Sequence, residues 1–192
     1  SGVTVAKHGN RSVSSRCGSA DLVEALGVNI TVDPSVVEEA VAEIGIGFLF
    51  APLYHGAMKH AVAARKEVGV RSIFNMLGPL TNPAAANCQL LGVYAPQLTE
   101  MFAEALRLLG TRQALVVHGH DGLEEISVCA PTRVSELKDG RIRTYDIDPE
   151  RFLGRRAAPA EVAGGDPARN AAITRGILAG DPGACRDVVV LN

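Results

Sequence analysis

The sequence predicts an α/β fold, in which helices flank a mostly parallel central sheet and an antiparallel hairpin is added. Short apolar runs typical of buried strands alternate along the chain with runs that place apolar residues at helical spacing. Asp33-Pro34 combines an N-cap residue with proline at the first helical position. Asp139-Gly140 separates two strand-like runs and is a strong hairpin signal. We treat residues 1–192 as one α/β domain.

The separate elements follow from local patterns. A strand-like run begins at Val3, and a helix over residues 20–26 ends at Gly27. The helix that follows Pro34 carries apolar residues at helical spacing up to Ile44. The remaining elements are predicted as strands at 47–51, 89–94, 114–117, 126–130, 133–137 and 141–147, helices at 55–68, 98–109 and 167–178, and apolar pieces at 73–77 and 186–191.

Composition excludes several classes of protein. A net charge of −2, no tryptophan and 4% aromatic residues argue against nucleic-acid binding. No apolar run reaches the ~18 residues of a membrane span, and no signal peptide opens the chain. The four cysteines are scattered without a C-x-x-C pair, which predicts reduced thiols and a cytoplasmic location. The chain opens inside a strand pattern and stops inside an apolar run, so we expect sheet partners beyond both ends.

Residues 7–19, the basic segment, are the most informative part of the chain. They combine three cations, one imidazole, two glycines and four serine hydroxyls between a strand-like run and a helix-like run. An α/β fold binds anionic ligands at such a position, because backbone N–H groups, hydroxyls and cations can point at one concavity. The basic segment therefore predicts a phosphate site, and the alternative is a solvated loop with a serine N-cap. For His8, a ligand contact and a hydrogen-bonded loop histidine both remain open.

Arg65 is predicted to face inward. Met58, Ala61, Val62 and Arg65 are spaced i, i+3, i+4 and i+7, which places the arginine on the apolar stripe of its helix. A buried guanidinium needs an anionic or carbonyl partner. Two interpretations remain open, namely a structural salt bridge and a bidentate clamp on a ligand carboxylate.

Residues 118–125, the acidic segment, follow a predicted buried strand. The adjacent Glu124 and Glu125 suit Mg²⁺, which takes one or two protein carboxylates and completes its shell with water and phosphate oxygens. The histidines of the segment, together with Asp121, would suit a softer metal, but the acidic pair favours a hard ion. An acidic solvated loop is the other alternative. With the basic segment, the pair indicates a phosphorylated substrate and Mg²⁺.

Several motifs in one order resemble the anthranilate phosphoribosyltransferase family. They are residues 5–15, 18–21, 24–27, 45–52, 73–83, 116–119, 164–166 and 187–192. The resemblance implies transfer of the phosphoribosyl group from phosphoribosyl pyrophosphate (PRPP) to anthranilate, which gives N-(5-phosphoribosyl)anthranilate and pyrophosphate in tryptophan biosynthesis. It also implies the large α/β domain of nucleoside phosphorylase and phosphoribosyltransferase-like enzymes, joined to a small helical domain in a homodimer.

The resemblance also implies roles for particular residues. The implied PRPP-binding residues are Lys7, His8, Gly9, Asn10, Arg11, Ser12, Val13, Ser14, Ser15 and Ser19. Asn10 and Arg65 are implied to contact anthranilate, and Glu124 and Glu125 to hold Mg²⁺. The family usually has Asp-Glu at the metal pair, so the extra methylene at position 124 lengthens the reach of that carboxylate. No residue is assigned as a general base, since an aryl amine is uncharged at neutral pH.

The resemblance leaves two alternatives to compare. The family's helical domain and its Gly-Thr-Gly-Gly-Asp pyrophosphate loop are expected before residue 1, so this chain alone is expected to be inactive. One alternative is a pyrimidine nucleoside phosphorylase-like enzyme, against which residues 7–15 and 75–83 argue. The other is a non-catalytic fragment that only binds ligand.

Overall fold

The computed structural model describes residues 2–12, 15–58, 60, 67 and 74–192. Its strands are β1 Val5–Gly9, β2 Ile46–Phe50, β3 Cys88–Gly92, β4 Gln113–Gly119, β5 Thr132–Lys138 and β6 Arg141–Ile147. Its helices are α1 Ser19–Ala25, α2 Pro34–Glu43, α3 Ala51–Tyr54, α4 Phe74–Leu77, α5 Leu98–Leu108, α6 Glu150–Leu153, α7 Pro167–Ala179 and α8 Ala184–Leu191. Short 3₁₀ turns lie at Gly56–Met58, Gly78–Leu80 and Pro159–Val162.

One compact unit contains residues 1–85 and 165–172. In it β1 and β2 pair in parallel, with Val5 opposite Ile46 and Gly9 opposite Phe50. Ala20 at the start of α1 packs with Ile30 and Phe50 in a buried cluster. The cluster therefore joins the first turn of α1 to the carboxyl end of β2, and the chain between β1 and α1 is the basic segment.

The second compact unit contains residues 86–164 and 173–192. Its four strands have the order β3-β4-β5-β6, in which β3 and β4 are parallel and the other pairings are antiparallel. Val117, Ile126 and Val134 form a buried cluster beneath the sheet. The cluster includes a residue of the loop between β4 and β5, so that loop is anchored in the core.

The predicted α/β class is confirmed, and the described strands form two sheets. The predicted turn joins β5 to β6, with positive φ angles at Asp139 (51°) and Gly140 (72°), as a type I′ hairpin requires. Helix α2 begins as predicted, because the Asp33 carboxylate accepts a hydrogen bond from the Ser35 N–H at 2.9 Å. That the whole chain is one domain stays a prediction.

Two local predictions, at 126–130 and at 55–68, differ from the structure, and the two apolar pieces for which no element type was predicted contain helices. The strand predicted at 126–130 is wrong, because residues 128–130 form bends and several N–H groups of this stretch bond to side-chain oxygens, such as Cys129 N to Ser127 Oγ at 2.9 Å. The apolar pieces at 73–77 and 186–191 contain helices α4 and α8. The helix predicted at 55–68 begins with a 3₁₀ turn, and most of its remainder lies outside the described residues. Within the described part of the chain, no helix has the length and apolar character that crossing a membrane requires.

Candidate functional site

Lys7 and His8 lie in β1 and, as consecutive strand residues, point to opposite faces. Lys7 is exposed and forms no ion pair within the described residues. His8 is half-buried, and its Nε2 lies 3.0 Å from the Nε2 of His55. Burial, and then the neighbouring His55, lower the pKa of His8. Lys7 is therefore available to an anion, whereas His8 has a protein partner.

The basic segment is hydrogen-bonded to Asp21 in the first turn of α1. Asp21 Oδ2 accepts hydrogen bonds from Ser12 N at 2.9 Å and Gly18 N at 2.8 Å, and these bonds lower the pKa of Asp21. A Cβ atom on Gly18 would lie 2.4 Å from Ser12 N, so only glycine allows the backbone at position 18 to come this close to the backbone at Ser12. One carboxylate thus holds the backbone of the segment at Ser12 and at Gly18.

The Arg11 side chain is bound by other side chains of the protein. Its guanidinium binds both carboxylate oxygens of Glu24, at 2.7 and 3.0 Å, and approaches Asp21 at 3.3 Å. It also lies over the ring of Phe50, 5.6 Å from the centroid. The pair raises the pKa of Arg11 and lowers that of Glu24. Arg11 therefore ties the basic segment to α1, while its predicted contact with PRPP stays a prediction.

The ion pair predicts an acid-dependent change in stability. Because the pKa of Glu24 is lower in the folded state, its stabilisation is present above the unfolded pKa and is lost as pH falls through the folded one. Relative to Glu24→Gln, the wild type is expected to be more stable above about pH 4.5 and equally stable near about pH 2. Urea midpoints measured across this range test the expectation. Glu39→Gln, which removes an exposed carboxylate from α2, is the control and should show no such trend. If Glu24→Gln lowered the stability by the same amount at every pH, the proposed dependence on the charge of Glu24 would be contradicted.

Ser12, Ser15 and Asn10, which are further predicted residues of the basic segment, form hydrogen bonds within it. The Ser12 hydroxyl bonds to the carbonyl of Ser15 and lies 2.8 Å from the Ser15 hydroxyl. Asn10 is exposed, and its Oδ1 accepts a hydrogen bond from Arg11 N at 2.8 Å. Gly9 lacks a side chain where the Ser19 hydroxyl approaches, since a Cβ there would lie 2.3 Å from Ser19 Oγ. Three predicted site residues, Val13, Ser14 and Arg65, lie outside the described residues.

Residues 120–131, the glutamate loop, join β4 to β5 and carry Glu124 and Glu125. Both glutamates are exposed, and neither carboxylate has a hydrogen bond or ion pair to a described residue. Ser127 is fully buried, and its hydroxyl donates to Asp121 Oδ2 at 2.6 Å across the base of the loop. The loop is thus fixed at its base while the two carboxylates are accessible.

The donor set of the glutamate loop fits Mg²⁺. No cluster of three or more His, Cys, Asp or Glu ligands is found within the ranges that the structure describes. A hard ion needs only one or two carboxylates when water and phosphate oxygens complete its shell. His118 Nδ1 lies 2.8 Å from Val93 O, and His120 pairs with Asp146 at 3.4 Å. The two histidines that would bind a softer metal therefore already have protein partners, and Asp121 is bound by Ser127.

Comparison with known proteins identifies the family. The family model described as "Glycosyl transferase family, a/b domain" matches residues 1–192. The chain belongs to this glycosyl transferase family. Curated relatives named anthranilate phosphoribosyltransferase include that of Syntrophobacter fumaroxidans, 75% identical over 191 residues, and that of Desulfosudis oleivorans, 72% identical over 192 residues. Each alignment covers 100% of this chain and 57% of the relative, so the chain spans little more than half of these glycosyl transferase family members.

Solved structures agree with the sequence relatives. The anthranilate phosphoribosyltransferase of Thermus thermophilus superposes with a TM-score of 0.91 at 48% identity, over 98% of this chain and 56% of that one. The Saccharomyces cerevisiae enzyme in complex with PRPP and Mg superposes with a TM-score of 0.86 at 30% identity, over 97% of this chain and 53% of that one. The resemblance predicted from the motifs is thereby confirmed within the glycosyl transferase family.

Sequence reasoning missed the residues that hold the two segments in place. Asp21, three residues after Gly18, has the spacing of a capping acid, and this signal was available. No local sequence pattern indicates the roles of Ser127, Asn192 and Gly92. The residue that each of them contacts is distant along the chain or lies in a loop. These residues set backbone positions, whereas the predicted residues supply the exposed chemical groups.

Proposed function

We propose that the whole protein containing this chain transfers the phosphoribosyl group of PRPP to anthranilate, as an anthranilate phosphoribosyltransferase of tryptophan biosynthesis. The observation that carries the proposal is the identity of 69–75% over the full length of this chain to three relatives that bear that name. In the reaction, the anthranilate nitrogen bonds to the anomeric carbon while the bond from that carbon to the pyrophosphate oxygen breaks. The nitrogen then loses a proton, and pyrophosphate leaves.

The basic segment is proposed to bind PRPP. Lys7 is an exposed cation with no ion pair among the residues described, so it can neutralise phosphate charge as a point charge. The serine hydroxyls of the segment are suited to phosphate oxygens, since a hydroxyl can donate a hydrogen bond to them. We assign Arg11 to shaping this segment, because its guanidinium is already bound by Glu24 and Asp21.

Glu124 and Glu125 are proposed to hold Mg²⁺. When bound, the ion would supply positive charge where negative charge develops on the leaving pyrophosphate. The exposed carboxylates carry no internal partner within the described residues, so they need not break an ion pair to take the metal. The two glutamates and the fixed base of their loop thus contribute position and charge, and no general base is required of the chain.

The whole protein provides the test, by turnover of PRPP and anthranilate with Mg²⁺. We expect formation of N-(5-phosphoribosyl)anthranilate, and no activity without Mg²⁺. In the same assay, Arg65→Ala is expected to raise the KM for anthranilate about tenfold or more and to change the KM for PRPP little, since a lost carboxylate clamp affects one substrate.

Other outcomes of this test would overturn parts of the proposal. Equal effects of Arg65→Ala on both KM values would remove Arg65 from the acceptor site. Phosphorolysis of thymidine, without transfer to anthranilate, would replace the proposal by the nucleoside phosphorylase alternative. We also predict that the whole protein is a homodimer and is located in the cytoplasm. Gel filtration of the whole protein tests the prediction of a homodimer.

A further inference from the structure

Asn192 forms hydrogen bonds with both backbone groups of one residue of the glutamate loop. Its Oδ1 accepts a hydrogen bond from Ile126 N at 2.9 Å, and its Nδ2 donates to Ile126 O at 3.0 Å. The same Nδ2 donates to Val188 O in α8 at 3.0 Å, which fixes the orientation of the amide. The side chain thus occupies both backbone groups of Ile126 from 66 residues away in sequence.

This contact acts on the position of Glu125. The N–H of Ile126 belongs to the planar peptide group that also contains the Glu125 carbonyl, so a bond to that N–H fixes the plane that leaves Glu125. The Ile126 side chain is 7% exposed and packs in the cluster with Val117 and Val134. The backbone after the glutamate pair is therefore held by a buried side chain and by two hydrogen bonds.

Other contacts hold the same loop on either side of the pair. Gly119 N donates to Leu123 O at 2.8 Å, and Asp121 accepts from the Ser127 hydroxyl at 2.6 Å. All of these contacts use backbone atoms or short polar side chains, and none uses the carboxylates of the glutamate pair. Asn192, the C-cap of α8, adds hydrogen bonds to Ile126 from outside the loop, and Leu191 of α8 packs against the cluster that contains Ile126.

We propose that Asn192 is a positioning residue for the metal-binding glutamates, because its amide fixes the peptide plane that follows Glu125. This inference rests on the proposed function of Glu124 and Glu125. A ligand to a metal is held in place by its supporting contacts, and loss of such a contact weakens metal binding by about 10–100-fold.

The chain offers a matched control in a different loop. Asn170 Oδ1 accepts from Gly165 N at 2.7 Å and its Nδ2 donates to Gly165 O at 3.2 Å, which is the same pair of bonds to a single residue. Asn170→Asp therefore removes the same kind of amide donor as Asn192→Asp, with the same added charge. The two variants differ in which loop loses its support.

The experiment is a Mn²⁺ titration of the whole protein in the presence of pyrophosphate, followed by the electron paramagnetic resonance signal of free Mn²⁺. Asn192→Asp is expected to raise the Mn²⁺ concentration for half-saturation about tenfold, whereas Asn170→Asp should change it less than about twofold. In turnover assays, Asn192→Asp should raise the Mg²⁺ requirement and leave the KM for anthranilate nearly unchanged. Hydrogen exchange at the Ile126 amide should be faster in Asn192→Asp than in the wild type.

The outcomes separate the inference from the proposed function. No change in Mn²⁺ binding by Asn192→Asp, or an equal change in both variants, would overturn the positioning role. Wild-type protein that binds Mn²⁺ but transfers nothing to anthranilate would overturn the proposed reaction alone, since the titration needs no turnover. Should Asn192→Asp fail to fold, Asn192→Ser, which is smaller and uncharged, is subject to the same criteria.

Discussion

Replacement of both Glu124 and Glu125 by glutamine is expected to lower kcat/KM for PRPP about 10²–10³-fold in the whole protein, the size of effect that follows loss of a group that stabilises transition-state charge. Glutamine keeps the shape of each side chain and removes the negative charge that attracts Mg²⁺. Both positions are exposed and unpaired within the described chain, so the fold should be little affected. Steady-state kinetics over a range of Mg²⁺ concentrations measure the effect.

Helix α2 provides a control with the same change of charge. Glu38 and Glu39 are also adjacent and exposed, and Glu38→Gln with Glu39→Gln should leave kcat/KM within about twofold of the wild type. Comparable losses in the two double variants would indicate a general effect of net charge. Wild-type dependence on Mg²⁺ in the Glu124 and Glu125 variant would show that the ion binds elsewhere.

Gly92→Ala is expected to cause the largest loss of stability among the glycines whose surroundings the structure describes. A Cβ atom on Gly92 would lie 1.6 Å from Glu124 O and 2.5 Å from its carbonyl carbon, and both are backbone atoms that cannot rotate away. Either β3 or the glutamate loop must move, and overpacking of this kind costs about 1–3 kcal/mol or more. Urea unfolding should show the loss, and Mn²⁺ binding should weaken because the backbone of Glu124 is displaced.

Gly56→Ala is the comparison for this variant. Among the described residues, no atom lies within 4 Å of the Cβ that it would introduce, and the position is exposed, so its free energy of unfolding should stay within about 0.5 kcal/mol of the wild type. An equally small change for Gly92→Ala would mean that β3 and the loop do not touch at this point in solution.

The parts of the fold that were predicted correctly are those with local causes. Asp33 caps α2 through its own neighbour Ser35, and the backbone angles at Asp139 and Gly140 follow from residue types that tolerate positive φ. Periodicity placed α5 at 98–109, one residue past its observed end, but of the apolar residues behind that prediction Phe102 is buried whereas Leu108 and Leu109 are exposed.

The errors and omissions come from long-range contacts. Residues 126–130 have an apolar pattern that suits a strand, yet Ser127 and Asn192 satisfy the backbone groups that a strand partner would otherwise take. The basic segment was recognised by its composition, but the engagement of Arg11 depends on Glu24, one and a half helical turns inside α1. Composition indicates which charges are present, and only the fold determines which of them remain available to a ligand.

In the glutamate loop, the residues that hold the backbone differ from the two glutamates that present carboxylates, and this has a consequence for redesign. The loop is held by Gly92, Asp121, Ser127 and Asn192, while positions 124 and 125 contribute only their outward ends. At the proposed Mg²⁺ site, substituting imidazole or thiolate side chains at those two positions would shift the preference towards zinc or cobalt, on a scaffold that need not be rebuilt.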